Sequence, residues 1–72
     1  MTKYVTIELQ TMDNGTVANI VTSHDTLDAA ASTYHSILAA AAISNLPAHA
    51  AVLIDNYGVE IESQGYYHGA GE

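Results

Sequence analysis

The chain has no cysteine, tryptophan, phenylalanine or arginine, and only one proline, Pro47, and one lysine, Lys3. Without cysteine there is no disulfide, no thiolate chemistry and no cysteine zinc site. Without clustered Lys and Arg no surface can track nucleic-acid phosphates or an anionic membrane, so neither is expected as a partner. Charge of either sign is scarce. Charged residues make up 12% of the chain, where about 25% is usual. Eight acidic residues against the lone lysine leave a net charge of −7. A chain of 72 residues also lies near the lower limit for a self-sufficient core, which at this size supplies about 3–5 kcal/mol. Few charges on so short a chain point to surface hidden against a copy of itself, and a homo-oligomer is expected.

Long apolar runs are missing too. Ile37 to Ile54 carries no Asp, Glu, Lys or Arg, but Ser44, Asn45, Pro47 and His49 interrupt it and much of it is alanine. A spanning helix needs about 20 strongly apolar residues, so the stretch reads as a helix end, a turn and a strand. Met1–Gln10 alternates like a strand rather than forming the apolar core of a secretory leader. With no cysteine either, a cytoplasmic location is expected.

What is present alternates with a period of two. From Tyr4 to Thr11, Val5, Ile7 and Leu9 fall on one face and Tyr4, Thr6, Glu8 and Gln10 on the other, the pattern of a half-buried strand. Asp13-Asn14-Gly15-Thr16 follows, and Asn-Gly is a strong hairpin signal. If Asn14 and Gly15 form a two-residue loop, Leu9 lies opposite Ile20, Ile7 opposite Thr22 and Thr11 opposite Ala18. A helix is expected from Asp25 as N-cap, with Asp28 in a capping-box position, to about Ser44. Its apolar stripe is Leu27, Ala31, Tyr34, Leu38 and Ala41, flanked by Ala30 and Ile37. Pro47 disfavours helical geometry at Leu46 and closes the element.

His49 to Asp55 is apolar on both faces, with Ala51 and Leu53 on one and Ala50, Val52 and Ile54 on the other. One helix covers one face of a small sheet, so Ala50, Val52 and Ile54 are the expected oligomer interface. Asp55-Asn56-Tyr57-Gly58 reads as a type I turn with Gly58 left-handed, pairing Leu53 with Ile61. A four-residue loop would pair Val52 with Ile61 instead. The glycine-rich end, about residues 66–72, is expected to fray. The whole chain, residues 1–72, reads as one α+β domain of ββαββ order, a four-stranded sheet with one alanine-rich helix across one face. The expected strand order is β-grasp-like, first and last strands adjacent, or a related order with the apolar third strand inside.

Chemistry is harder to find. The four histidines, His24, His35, His49 and His68, are scattered one per element, without the close spacing a zinc site uses. No metal or other cofactor is expected. Ser23-His24-Asp25 contains the residue types of a hydrolase triad, but consecutive side chains diverge, and triads are assembled by geometry. No enzyme is expected. Thr22, Ser23 and His24 precede a helix whose first N–H groups are unpaired, and helix N-termini hold phosphates. Joined across an interface with Tyr34, His35, Tyr66, Tyr67 and His68, they are the candidate residues for a nucleotide-like ligand. Glu8, Asp13, Asp55, Glu60 and Glu62 form a candidate acidic face for a basic partner, or the solvated face of a strand.

Several of these stretches taken together, Tyr4–Gln10, Asn14-Gly15-Thr16-Val17, Asn19–His24, Tyr34-His35, Ile37–Ala42, Pro47–Leu53 and Ser63-Gln64 with Tyr66 and His68, resemble short phage- and prophage-encoded proteins of gut bacteria. The resemblance covers about residues 4–68. No established activity attaches to that group, so no functional residue is carried over. It implies an accessory factor in the host cytoplasm that acts on a host protein or a host defence signal. The expected function is a non-catalytic, homo-oligomeric binding module. The alternatives are a sponge for a nucleotide-derived immune signal at a subunit interface, and a structural accessory protein.

Overall fold

The computed structural model describes residues 3–68. Its elements are β1 (Tyr4–Thr11), β2 (Val17–His24), α1 (Leu27–Ala42), β3 (Ala48–Asp55) and β4 (Glu60–Tyr67). The strands form one antiparallel four-stranded sheet in the order β2-β1-β3-β4, and α1 packs on one face of it, an α+β arrangement. First and last strands are not neighbours, so the β-grasp-like closure does not occur. The apolar third strand takes an inner position beside β1.

The first hairpin differs from its expected register by one residue. A type I′ turn needs positive φ at both central residues, yet among the described residues only Gly15 and Gly58 have positive φ. The loop is therefore Asp13-Asn14-Gly15. Gly15, at φ +87°, donates its N–H to Met12 O at 2.9 Å, Met12 N–H donates to Thr16 O at 2.8 Å, and Asn14 Oδ1 accepts from Thr16 N–H at 2.9 Å. Leu9 consequently faces Asn19, Ile7 faces Val21 and Thr11 faces Val17, in place of Ile20, Thr22 and Ala18. Side chains alternate, so this single step moves every β2 residue to the opposite face relative to β1.

The helix starts later than expected. Thr26, not Asp25, is the N-cap, and its Oγ1 accepts from Ala29 N–H at 3.2 Å. Ser23 and His24 belong to β2. Asp28 stays in the first turn, where the helix dipole favours it. At the other end Ile43 N–H closes on the carbonyls of Ala40 and Ala41. Ser44 Oγ then accepts from Leu46 N–H at 3.1 Å, and Pro47 leads into β3.

The second hairpin has the expected turn. Gly58 sits at φ +82°, its N–H donates to Asp55 O at 3.1 Å, and Asp55 N–H donates to Val59 O at 3.0 Å. Neither expected register survives beyond it, because Ile54 pairs with Glu60 and Leu53 with Glu62. Ile61 is an extra residue, a β-bulge in the edge strand. At the far end of β4, Tyr66 and Tyr67 pair with His49 and Ala48, and His68 N–H donates to Pro47 O at 2.7 Å. Tyr66 and Tyr67, the first residues of the end expected to fray, are thus paired in the sheet; residues 69–72 lie outside the described residues.

The core lies between α1 and β3. Ala30, Tyr34, Ala51 and Leu53 form its buried centre, with Tyr4, Ile37 and Leu38 packed against it. Alanine at the helix positions lets the sheet approach closely. Leu53 and Thr6 are the largest fully buried side chains, and they are direct cross-strand partners. Leu53→Ala removes the main aliphatic group of this small core and is expected to cost about 2–5 kcal/mol. Thr26→Ala, which removes the helix cap, is expected to cost about 1 kcal/mol. Urea unfolding followed by far-UV circular dichroism measures both.

Candidate functional site

Cross-strand pairing assigns every strand residue to a face. On the helix side lie Tyr4, Thr6, Glu8 and Gln10 of β1, Ala18, Ile20, Thr22 and His24 of β2, and His49, Ala51 and Leu53 of β3, with Gln64 and Tyr66 of β4. On the other side lie Val5, Ile7, Leu9 and Thr11, then Val17, Asn19, Val21 and Ser23, then Ala48, Ala50, Val52 and Ile54, with Ser63, Gly65 and Tyr67. The helix thus covers the more polar face of the sheet.

A buried polar pair makes that face tolerable. His49 is 5% exposed, and its Nε2 lies 2.6 Å from Glu8 Oε2. Gln10 Nε2 donates to the same carboxylate oxygen at 3.1 Å. His49 Nδ1 has no protein partner. Nearer the opposite end of the sheet, Thr6 Oγ1 and His24 Nε2 are 3.1 Å apart. The His49–Glu8 and Thr6–His24 contacts link neighbouring strands, the Gln10–Glu8 contact lies within β1, and all three satisfy groups that burial would otherwise penalise.

The residues expected to hold a nucleotide-like ligand are dispersed. Thr22 and His24 lie on the helix side of β2 and Ser23 on the other. Tyr34 is buried in the core. His35 is exposed, its ring 5.3 Å from that of Tyr34 in an edge-on contact. Tyr66 and His68 stand at the helix C-terminal end, their rings parallel with centroids 6.2 Å apart, and His68 Nε2 donates to Ala41 O at 3.0 Å. Tyr67 lies on the open side. The β2 end and the β4 end of this set are separated by nearly the full length of the sheet, since Tyr4 pairs with His24 at one end and Ala48 with Tyr67 at the other. One chain does not assemble them. Among the described residues there is no pocket and no cluster of three or more metal-ligating side chains.

The acidic residues do not share one face either. Glu8 is drawn under the helix by His49. Asp55 is used by its own turn, its Oδ1 accepting from Tyr57 and Val59 N–H at 2.8 and 3.0 Å, and Asp13 lies in the turn at the opposite end of the sheet. Glu60 and Glu62 both lie on β4 but pair with Ile54 and Leu53, on the open and helix sides respectively.

The feature that stands out is the open face. Val5, Ile7, Leu9, Ala50, Val52 and Ile54 form its half-buried centre, and Val17, Val21 and Tyr67 at its rim are 56%, 59% and 65% exposed. Among the described strand residues on this face the charged one is Glu60, at one corner of the edge strand. Ala50, Val52 and Ile54 lie where the sequence places them, away from the helix. Val5, Ile7 and Leu9 lie beside them, which β1 alone did not reveal. Gly65 completes a low patch opposite Ala50, where an added Cβ would come within 3.1 Å of Ala50 Cβ. Eight-residue strands about 3.3 Å per residue long and about 4.8 Å apart give a face of roughly 20 by 26 Å. No described helix is long and apolar enough to cross a membrane.

No protein-family model, curated protein or solved structure matches the chain.

Two outcomes test the covered side. Glu8→Ala strips His49 and Gln10 of their shared acceptor and is expected to cost about 1–3 kcal/mol. The paired change Glu8→Met with His49→Leu should recover most of that loss in urea unfolding. Burial, reinforced by Glu62, Glu60 and Tyr66, holds the Tyr34 hydroxyl above its ordinary pKa of 10.0. Because the folded value is the higher one, this contribution to stability is complete below pH of about 10 and is lost as pH climbs through the folded value. Tyr34→Phe should flatten the fall in stability above pH of about 10, read from denaturation midpoints across the alkaline range.

Proposed function

We propose that the chain is a non-catalytic binding module that works as a homo-oligomer, with the open sheet face as its self-association surface. The observation that carries this reading is the inverted sheet: the apolar face lies opposite the one helix among the described residues. A monomer would leave Val5, Ile7, Leu9, Val52 and Ile54 in contact with water, and a contiguous apolar patch of this extent marks an interaction site. A second copy is the occupant that suits it. The patch is flat, almost free of charge and able to meet its own image across a twofold axis, as the isologous contact of a symmetric dimer requires. Stacking two such faces reproduces the interior of a β-sandwich, with the sheets about 10 Å apart. Each Val or Ile it buries contributes about 1.5–3 kcal/mol, a large supplement for a core of this size.

The absence of a pocket and the dispersal of the histidines and tyrosines support binding through surfaces rather than catalysis in a cleft. The helix side and the strand ends of such an assembly remain free for a further partner. In the phage-encoded setting suggested by the sequence, that partner is a host protein. The nucleotide-sponge reading, which joins its residues across a subunit interface, has less support, because Tyr34 is buried in the core.

Light scattering coupled to size exclusion decides the matter. The wild-type chain should run at a multiple of 7.6 kDa. Ile7→Glu, at the centre of the open face, should reduce that multiple with circular dichroism unchanged. Val21→Glu, at the exposed rim, provides the same test should Ile7→Glu fold poorly. A wild-type mass of 7.6 kDa at tens of micromolar would end the proposal.

A further inference from the structure

The two edges of the sheet are unlike, and the difference identifies a second self-association surface, separate from the open face. β4, at one edge, carries Glu60 and Glu62 and the bulge at Ile61, the devices by which edge strands resist pairing. β2, at the other, reads Val-Ala-Asn-Ile-Val-Thr-Ser-His. It has no acidic residue, lysine, proline or glycine, and its pairing with β1 is unbroken from Val17 to His24. No described residue covers it: Val17, Asn19, Ile20, Val21, Thr22 and Ser23 are all exposed, Ile20 at 53%.

The backbone phase at this edge follows from the hairpin. Met12 N–H donates to Thr16 O, so Met12 and Thr16 form a hydrogen-bonded pair, and such pairs recur at every second position. Ala18, Ile20 and Thr22 therefore direct their N–H and C=O groups to β1. The groups of Val17, Asn19, Val21 and Ser23 point out from the sheet as an unused ladder. We propose that this ladder pairs with the same strand of a second copy, antiparallel about a twofold axis through Ile20, making one continuous eight-stranded sheet.

That register uses the whole segment. Val17 pairs with Ser23 of the second copy, Ala18 with Thr22, Asn19 with Val21 and Ile20 with its own mate. Asn19 and Val21 exchange backbone hydrogen bonds, and the two Ile20 side chains meet in the closer, non-hydrogen-bonded pair on the helix side. A second copy is the occupant because the strand mates with itself in this register without bringing an acidic residue to the contact, whereas the β4 edge would oppose glutamate to glutamate; the net charge of −7 on each chain works against the association. Asp13 and Asp25, just beyond the ends of the segment, are brought near each other across the axis, so salt should strengthen the association by screening. Edge pairing and face stacking use different residues, and together they form a four-copy assembly of dihedral symmetry.

The absence of native cysteine makes the test direct. Ile20→Cys places one thiol on the proposed axis, where the non-hydrogen-bonded geometry suits a disulfide. Under mild oxidation it should give near-complete covalent dimer on a non-reducing gel. Tyr57→Cys, at an exposed turn remote from β2, should cross-link at least tenfold more slowly. Equal rates for the two would overturn the proposal. Ile20→Lys should halve the wild-type mass while leaving circular dichroism unchanged, and raising salt from 50 to 500 mM should shift wild type toward the larger species. Ile7→Glu should leave an edge-paired dimer that still cross-links through Ile20→Cys. This separates the edge from the face, because loss of the face contact leaves the cross-link intact and loss of the edge leaves the face-dependent mass. An Ile20→Lys mass equal to wild type would refute the edge even if the face reading stands.

Discussion

Everything in this fold follows from which side of β1 and β3 the helix covers. The two strands are antiparallel neighbours at the centre of the sheet, and their pairing puts Thr6 beside Leu53, and Glu8 within reach of His49 from the next pair along. Alanines at 30 and 41 allow α1 to settle closely on that side. Once it has done so, Val5, Ile7, Leu9, Val52 and Ile54 are committed to the opposite side, and among the described residues no other element covers them.

A polar pair beneath a helix is an unusual way to spend interior space. Burying a histidine and a carboxylate costs desolvation, which only good geometry offsets. Here both groups bond to each other, and Gln10 adds a third partner. The pair contributes less as stabilisation than as a constraint. A one-residue slip of β1 against β3 would carry Glu8 to the apolar side and leave His49 without an acceptor. In a chain whose β3 is apolar on both faces, such a constraint resolves an ambiguity that hydrophobic burial leaves open.

Much of this was legible in the residues. Period-two alternation gave β1, alanine and capping residues gave α1, and the double-sided apolarity of residues 49–55 made an inner β3 one of the two strand orders left open. Gly58 gave the second turn. Three features were hidden for physical reasons. Asn-Gly is compatible with both a two-residue loop and a three-residue loop ending in a left-handed glycine, and only the latter keeps Asn14 at negative φ. Asp25 and Thr26 are both capping residues, and Thr26 took the role because β2 runs on to His24. The bulge at Ile61 leaves no trace in composition. Alternation distinguished the faces of β1 without telling which one the helix would take, and the usual presumption, apolar side inward, is the one this sheet reverses. The dispersal of the tyrosines and histidines was equally invisible, since it depends on strand order.

The bulge in β4 has a consequence for growth. A sheet with two permissive edges adds copies without end and becomes a filament. One that is permissive at β2 and obstructed at β4 by an inserted residue and two carboxylates accepts a single addition and then exposes only obstructed strands. If copies pair at β2 as proposed, Glu60, Glu62 and the residue that breaks the rhythm of the last strand would together stop growth at one addition.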